Sequence, residues 1–234
     1  MGERWRALTT ELALAVLGMF VGIVVLSVLR SVGLWPSSSV QGIGLVSGPA
    51  ITGIAALTYR LCIRWVAVPP SEPVPTLPRA PLGRSIVVTL AGIALAVGGS
   101  VVLGELVELV GLPIAEQESI LEIVRAWHRG EDHGQVILLG TAAVLLAPLA
   151  EESLFRGLLF ARLRVPVGRP LAYGVSALAF ALIHANPAGL VIYAWLGLTF
   201  AFALERTGRL WPAIVVHMGN NAFAFAALLL NDAA

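Results

Sequence analysis

Residues 135–163 read QVILLGTAAVLLAPLAEESLFRGLLFARL and combine the apolar length of a membrane span with three ionisable side chains, Glu151, Glu152 and Arg156. A helix of about 20 residues crosses the ~30 Å hydrocarbon layer of a bilayer, so this stretch is long enough to span it. A charged side chain near the centre of a membrane helix costs roughly 2.5–3.5 kcal/mol on insertion scales. Such residues therefore pair with one another, face a wet cavity or take part in chemistry.

The composition of the whole chain also indicates a membrane protein. Of its 234 residues, 58% are hydrophobic and 12% are charged, and the mean hydropathy is +0.88, far from the balance of a soluble domain. All 15 basic residues are arginine, and with the abundant Ala and Gly this bias favours a GC-rich prokaryotic genome. We expect an integral protein of a prokaryotic inner membrane, with the lipid bilayer as its surroundings and no nucleic-acid partner.

Apolar stretches of similar length predict an all-α, polytopic membrane bundle of about seven transmembrane helices. The stretches are residues 12–29, 40–59, 85–104, 135–163, 171–185, 187–204 and 210–230. The fifth is short because Asn186-Pro187 ends it, and we expect it to form a hairpin with the sixth. The polar stretches are too short for a soluble domain. Residues 1–234 are therefore predicted to form one membrane domain, with N-terminal spans and loops in 1–134 and the core spans that carry the candidate site in 135–234.

The arginines predict the orientation of the chain, because short cytoplasmic loops carry an excess of positive charge. With the N-terminus in the cytoplasm, eleven arginines fall on the cytoplasmic face: Arg4, Arg6, Arg60, Arg64, Arg79, Arg84, Arg162, Arg164, Arg169, Arg206 and Arg209. The opposite face holds Arg30, Arg125 and Arg129 beside an acidic loop. The sequence thus predicts seven crossings, with the N-terminus inside and the C-terminus outside.

Residues 120–127 predict a helix that lies on the outer membrane surface. Ile120, Val124 and Trp127 share one face of such a helix, and a Trp at the interface is ordinary in that position. A lid over a substrate path is the alternative interpretation.

The acidic pair divides into two roles. Glu152 and Arg156 lie four residues apart in the order that favours an ion pair on one helix face, so we expect a structural salt bridge there. Glu151 points about 100° away from Glu152 at 3.6 residues per turn and has no obvious partner on its own helix. Since a positioned carboxylate is a common general base, Glu151 is the residue expected to do chemistry.

Two histidines also lie in apolar stretches, His184 at the end of FALIH and His217 at the start of HMGNN. One such histidine by itself is more often a packing residue than a functional one. His217 and Asn221 are four residues apart and therefore face the same way, with Asn220 as the competing amide. At 1.5 Å per residue, His217 lies about 10 Å and Glu151 about 18 Å from the cytoplasmic ends of their helices. These depths predict one pocket within the membrane, nearer the cytoplasmic side.

The chain carries three motifs in order: an E-E-x-x-x-R helix, then F-x-x-x-H, then H-x-x-x-N. In this order they resemble the membrane-embedded family of CAAX prenyl proteases and bacteriocin-processing enzymes, also called the Abi family. The resemblance covers roughly residues 136–230. It implies an intramembrane endopeptidase that hydrolyses a peptide bond in a membrane-associated protein or peptide. The eukaryotic branch cleaves prenylated proteins, whereas bacterial members are associated with bacteriocin maturation, immunity or other membrane-linked peptides. The arginine-only composition favours the second group.

Carried over residue by residue, the resemblance implies that Glu151 activates the attacking water and that His184 helps to hold it. It further implies that His217 and Asn221 stabilise the oxyanion of the tetrahedral intermediate. The salt-bridged pair would support the acidic helix.

Whether a metal takes part stays open at this point. One glutamate with two histidines, here Glu151, His184 and His217, can bind zinc with water in the fourth position, and the family is often called metalloprotease-like. The chain has no H-E-x-x-H signature, and the same three residues can activate water without a metal.

Two other functions compete with the peptidase. The first is a non-catalytic bacteriocin-immunity or scaffold member of the same family, against which the intact set of site residues argues. The second is a transporter, because intramembrane Glu and His also serve as proton relays. Matching interrupted spans in two halves of the chain would favour a transporter, and the sequence shows none.

Overall fold

The computed structural model describes residues 2–37, 42–66, 77–112, 118–131 and 133–230, and the regular structure in these residues is helical throughout. The helices are α1 (Gly2–Ser31), α2 (Ser47–Val66), α3 (Leu82–Leu109), α4 (Glu118–His128), α5 (His133–Leu163), α6 (Arg169–Leu182), α7 (Leu190–Thr207) and α8 (Leu210–Leu230). A 3₁₀ turn at Gly42–Val46 leads into α2. The predicted all-α membrane bundle is confirmed.

Six of these helices, α1, α2, α3, α5, α7 and α8, are long and apolar enough to cross a membrane. The remaining predicted span, the fifth at residues 171–185, corresponds to α6, which has only 14 residues and reaches about 21 Å at 1.5 Å per residue. It packs against α7, so the short hairpin predicted for these two helices is present. The observed helix α7 begins at Leu190 rather than at residue 187, because Asn186 accepts a hydrogen bond from Gly189 N within the turn.

The two N-terminal helices pack closely through glycine. A Cβ atom at Gly18 would lie 2.6 Å from Ala55 O, and one at Gly22 would lie 2.6 Å from Ile51 O. Glycines four residues apart let membrane helices approach in this way. The backbones of α1 and α2 therefore touch where any larger residue would separate them.

A buried polar cluster connects this helix pair to α5. The guanidinium of Arg162 donates to both oxygens of Glu11, with Nε at 2.9 Å from each, and the hydroxyl of Tyr59 donates to the same carboxylate. Glu11 comes from α1, Tyr59 from α2 and Arg162 from α5. The start of α1 therefore lies beside the end of α5.

Further contacts place several arginine-rich helix ends together. Arg169 at the start of α6 forms an ion pair with Glu205 near the end of α7, at 2.9 Å. Ala80, just before α3, donates its backbone N–H to Thr207 O at 2.9 Å. These helix ends carry the arginines that the sequence assigned to a single face, and the structure gathers them at one end of the bundle.

The predicted surface helix is present as α4. Its residues Ile123 and Val124 are buried, and Ile123 packs with Val136 and Leu139 of α5. This contact lies about 15 residues before Glu151 along α5, roughly 20 Å at the helical rise. Because α4 packs on the far part of α5, its position does not favour the lid interpretation.

Candidate active site

The helix that carries the acidic pair is irregular on both sides of it. Within α5, the segments Thr141–Leu146 and Phe155–Phe160 have π-helical hydrogen bonding, with eight α-helical residues between them. Pro148 explains the π-helical hydrogen bonding of the first segment, because proline has no N–H to donate to the carbonyl four residues earlier. Short π segments widen a helix and are frequent at functional sites. The two glutamates thus occupy a short α-helical stretch bracketed by wider turns.

Side chains from neighbouring helices bond to carbonyls of both π segments. Asn221 of α8 donates from Nδ2 to Ala143 O at 2.9 Å, and Ser176 of α6 donates from Oγ to Phe155 O at 3.0 Å. Backbone carbonyls in a membrane interior must be satisfied within the protein. These two hydrogen bonds therefore fix α5 against α8 and α6, one on each side of the acidic pair.

Glu152 and Arg156 form the predicted ion pair and are both fully buried. Nη1 of Arg156 donates to Oε1 of Glu152 at 2.9 Å, and Nη2 donates to the backbone oxygen of Gly197 in α7 at 3.0 Å. The guanidinium also lies over the rings of Phe180 and Phe200, 4.5 Å and 5.0 Å from their centroids. A buried charge needs such partners to be tolerated.

His217 connects α8 to the same carboxylate. Its Nδ1 lies 2.9 Å from Oε1 of Glu152, and its ring stacks on Phe200 with centroids 4.4 Å apart. When the carboxylate accepts from this ring, the hydrogen is on Nδ1 and Nε2 of the neutral imidazole is an acceptor. Glu152 thus orients His217 so that the free Nε2 of the ring faces Glu151.

Glu151 differs from its neighbour in having an open oxygen. Its Oε2 lies 3.9 Å from Nε2 of His217, which is too far for a direct hydrogen bond. Among the residues that the structure describes, none donates a hydrogen bond to the carboxylate of Glu151. Its side chain keeps 12% of its surface exposed, against 0% for Glu152. Glu151 is therefore the carboxylate that a water molecule or substrate can reach.

His184 approaches from the end of α6. Its Nδ1 lies 2.8 Å from Phe180 O, so this nitrogen donates and Nε2 is left as an acceptor. The ring stacks on Tyr193 of α7 at 4.0 Å. The ring of Phe180 lies 4.8 Å from His184 and 5.6 Å from His217. One phenylalanine therefore separates the two imidazoles.

The turn after His184 is fixed by an unusual backbone. Ala185 has a φ of 49°, the only positive φ at a non-glycine residue in the described ranges. An L residue pays about 1–2 kcal/mol for this left-handed conformation, and such strain tends to occur near functional sites. The strained residue ends the hydrogen bonding of α6 immediately past the histidine.

The two asparagines of α8 have different contacts. Asn221 faces α5, as His217 does, so the predicted common face is present. One Nδ2 hydrogen of Asn221 is committed to Ala143 O, which leaves the second hydrogen of that amide. Asn220 donates to Oδ1 of Asn221 at 3.3 Å and accepts from Ser100 at 3.5 Å. Asn220 thus holds the amide of Asn221 in place.

Comparison with known proteins bears on this arrangement. The family model described as type II CAAX prenyl endopeptidase Rce1-like matches residues 133–223, which include the acidic pair, both intramembrane histidines and both asparagines. YdiL of Bacillus subtilis, which carries the name of a membrane peptidase, is 28% identical over 176 residues, or 74% of this chain and 68% of YdiL. The part of the chain that carries the candidate site is therefore similar to the CAAX prenyl protease and bacteriocin-processing family.

A second relative of the chain is the membrane-embedded CAAX protease MroQ of Staphylococcus aureus. The two chains are 34% identical over 96 residues, which cover 38% of this chain and 39% of MroQ. No solved structure matches the chain. Taken together, the matches support a membrane protease of the CAAX type.

In this structure Glu151, His184 and His217 do not form a three-ligand metal centre. No group of three His, Cys, Asp or Glu side chains within the described ranges is placed to hold a metal ion. His217 uses Nδ1 on Glu152, and His184 uses Nδ1 on a backbone oxygen. Glu151 and the two Nε2 atoms would need to converge before they could share one ion.

Sequence analysis gave no role to several residues around the site. Phe180 was part of the F-x-x-x-H motif, and its spacing of four from His184 was the signal for a shared face. Phe200, Tyr193 and Gly197 all come from α7, whose apolar sequence has no ionisable residue near them. Their roles depend on how α7 packs against α5 and α6, which no local pattern predicts.

Proposed function

We propose that this chain is an intramembrane endopeptidase that hydrolyses a peptide bond in a membrane-associated protein or peptide, with Glu151 as the general base. The contrast between the two adjacent glutamates carries the proposal. Glu152 is occupied by Arg156 and His217, whereas Glu151 is partly exposed and faces Nε2 of His217. A carboxylate with no fixed partner, beside an oriented imidazole, is suited to bind and deprotonate water.

The chemical steps follow from these positions. Water that binds beside Glu151 can donate one hydrogen to its carboxylate and the other to Nε2 of a neighbouring histidine. As the water oxygen attacks the scissile carbonyl carbon, its proton passes to Glu151. Glu151 then returns this proton to the amide nitrogen as the carbon–nitrogen bond breaks. His184, with its acceptor nitrogen free, is the second group proposed to hold the water.

The oxyanion requires donors, and the geometry refines which groups supply them. In the neutral tautomer held by Glu152, His217 accepts at Nε2 and would donate to an oxyanion only after it gains a proton. The buried Glu152 carboxylate would stabilise that protonated ring. The second amide hydrogen of Asn221 is a donor in either state. Asn221 is therefore the proposed oxyanion donor, and His217 joins it when protonated.

The test is cleavage by the purified protein in lipid, with Glu151→Gln compared with Glu105→Gln, an exposed carboxylate on α3. Loss of a general base lowers kcat by about 10²–10⁴-fold, so we expect that loss for Glu151→Gln and wild-type kcat for Glu105→Gln. The substrates can be identified as peptides that accumulate in cells lacking the protein. Cellular function that survives Glu151→Gln undiminished would contradict the peptidase and favour an immunity or scaffold role.

Two further measurements address the alternatives. Metal content of the purified protein and the effect of chelators on cleavage test the zinc version, which predicts bound metal and loss of activity on chelation. A solute flux into proteoliposomes that persists in Glu151→Gln would support a transporter instead.

A further inference from the structure

A cavity of about 630 Å³ lies beside α5 on a face that does not include Glu151. Its walls come from α2, from the residues before α3, from α5 and from the turn between α7 and α8. The α5 residues in its wall include Ala150, Ser153 and Gly157, which follow one helical face at spacings of three and four. The volume is in the range of pockets that bind small ligands.

The cavity is strongly positive. Four arginines, Arg60, Arg79, Arg156 and Arg164, are in its wall, and none of the described lining residues is acidic. The charge of Arg156 is already paired with Glu152. Arg60 and Arg79 are exposed, and neither has a hydrogen bond or ion pair with another described residue. The cavity thus offers at least two cations that the described part of the protein leaves without an anion.

The surroundings of the cavity are apolar and exposed. Leu57 belongs to its wall, and on α2 Leu57, Leu61 and Trp65 leave much of their surface uncovered, Trp65 the most at 86%. Trp and Arg at the end of a membrane helix mark the level of lipid headgroups. A ligand in the cavity would therefore meet arginines at one end and a hydrocarbon-facing surface at the other.

We propose that this cavity binds the headgroup of an anionic phospholipid, with its phosphate held by Arg60 and Arg79 and its acyl chains along the exposed face of α2. Basic pockets between membrane helices bind anionic headgroups through this chemistry. A lipid is favoured over a peptide because the apolar face of α2 leads from the bilayer to the arginines. The site is separate from Glu151, so this inference stands apart from the peptidase chemistry.

The test compares binding of phosphatidylglycerol and phosphatidylcholine by native mass spectrometry and thermal unfolding of the full chain in detergent. The cavity variant is Arg60→Gln combined with Arg79→Gln. The matched control is Arg64→Gln combined with Arg84→Gln, which removes two exposed arginines outside the cavity wall. We expect preferential binding of phosphatidylglycerol, weakened at least about a hundredfold in the cavity variant. Removing two arginines from general surface attraction, at about 1 kcal/mol each, weakens binding about thirtyfold, and this is the limit expected for the control.

Four outcomes would overturn the proposal. Equal binding of the two lipids would remove the role of charge, and an equal loss in the control that lacks Arg64 and Arg84 would reduce the effect to general surface attraction. Stabilisation by free glycerol phosphate as strong as that by phosphatidylglycerol would indicate an anion site with no lipid component. A peptide occupant would appear as a raised KM in the double variant with unchanged binding of phosphatidylglycerol. The unfolding temperature without lipid checks that each variant is folded.

Discussion

At the scale of single residues, two adjacent glutamates have opposite environments. Glu152 receives hydrogen bonds from Arg156 and His217 on a single oxygen, and its side chain is fully buried. The Glu151 carboxylate lies 3.9 Å from Nε2 of His217, too far for a hydrogen bond, and keeps a partly exposed surface. Since neighbouring residues on a helix point about 100° apart, one glutamate can face the bundle interior while the other faces a reachable space.

The two positions should therefore respond differently to the same substitution. Glu152→Gln removes the negative charge opposite the buried Arg156, and breaking a buried ion pair in this way costs about 3–5 kcal/mol. Glu151→Gln removes a carboxylate that has no ion pair within hydrogen-bond distance, so we expect its unfolding free energy to stay within about 1 kcal/mol of wild type. Denaturant unfolding in detergent measures both. Equal losses in the two variants would show that Glu152 does not have a separate structural role.

At this scale, the contacts within one helix could be predicted and those between helices could not. The spacing of Glu152 and Arg156 predicted their ion pair, because residues four apart always share a helix face. The bond from His217 to Glu152 joins α8 to α5, and its existence depends on how these helices are placed relative to each other. Sequence analysis placed His217 in the same pocket but gave it no partner.

At the scale of elements, the two π segments determine how α5 is held. Each has a carbonyl bonded by a side chain from another helix, Asn221 at Ala143 and Ser176 at Phe155. Interhelical hydrogen bonds in membranes are worth about 0.6–2 kcal/mol. The two bonds are thus comparable as attachments, although only Asn221 is a proposed oxyanion donor.

Comparing variants of Asn221 and Ser176 separates the structural role of Asn221 from its proposed catalytic role. Asn221→Ala and Ser176→Ala should each lower the unfolding free energy by about 1 kcal/mol. Loss of an oxyanion donor lowers kcat by about 10²–10³-fold, which we expect for Asn221→Ala, whereas Ser176→Ala should lose less than about tenfold. Unfolding and cleavage assays on the same preparations give both quantities. If Ser176→Ala lost as much kcat as Asn221→Ala, Asn221 would act only by holding α5.

Gly197 has a comparable role between α6 and α7. A Cβ atom there would lie 2.7 Å from Ala177 Cα and 2.9 Å from Ala177 Cβ, closer than packed atoms allow. Gly197→Ala should therefore move α7 away from α6 and weaken the bond from Arg156 to Gly197 O, at a cost of about 1–3 kcal/mol.

The control for this prediction is Gly174→Ala in α6, where no atom lies within 4 Å of the added Cβ. Alanine is the better helix former by about 1 kcal/mol, so this variant should be as stable as wild type or more so. Thermal unfolding in detergent compares the two. Equal stability of both alanine variants would mean that the close approach of α6 and α7 is not required.

The predicted and observed helix boundaries differ where the length of an apolar stretch does not determine where a helix begins. The last span agrees with α8, Leu210–Leu230, because a polar turn at Thr207, Gly208 and Arg209 precedes it. The second span was predicted from residue 40, but α2 begins at Ser47, and the apolar residues before it form a 3₁₀ turn; residues 40 and 41 lie outside the described ranges. Apolar composition favours the membrane equally for a helix and for a turn, so it does not distinguish them.

At the scale of the whole molecule, contacts between distant segments give the bundle two unlike ends. The start of α1, the end of α5, the start of α6 and the end of α7 meet through the ion pairs of Glu11 with Arg162 and of Glu205 with Arg169. The loop at the far end holds Arg129, paired with Glu131. The arginine-rich ends thus lie at one end of the bundle, and the positive-inside rule predicts that this end is cytoplasmic.

The orientation itself is the last prediction. In a Cys62→Ser background, Arg206→Cys and Arg129→Cys introduce single thiols at exposed positions on opposite ends of the bundle. With the N-terminus inside, a membrane-impermeant maleimide should label Arg129→Cys in spheroplasts and reach Arg206→Cys only after the membrane is permeabilised. Loops that carry the arginine excess stay on the cytoplasmic side during insertion, which is the physical reason for this expectation. The reverse labelling pattern would invert the topology and place the arginine-lined cavity on the outer side of the membrane. Equal labelling of both thiols in sealed spheroplasts would mean that the two ends of the bundle lie on the same side of the membrane. The contacts among α5, α6 and α7 would then have to be compatible with that placement.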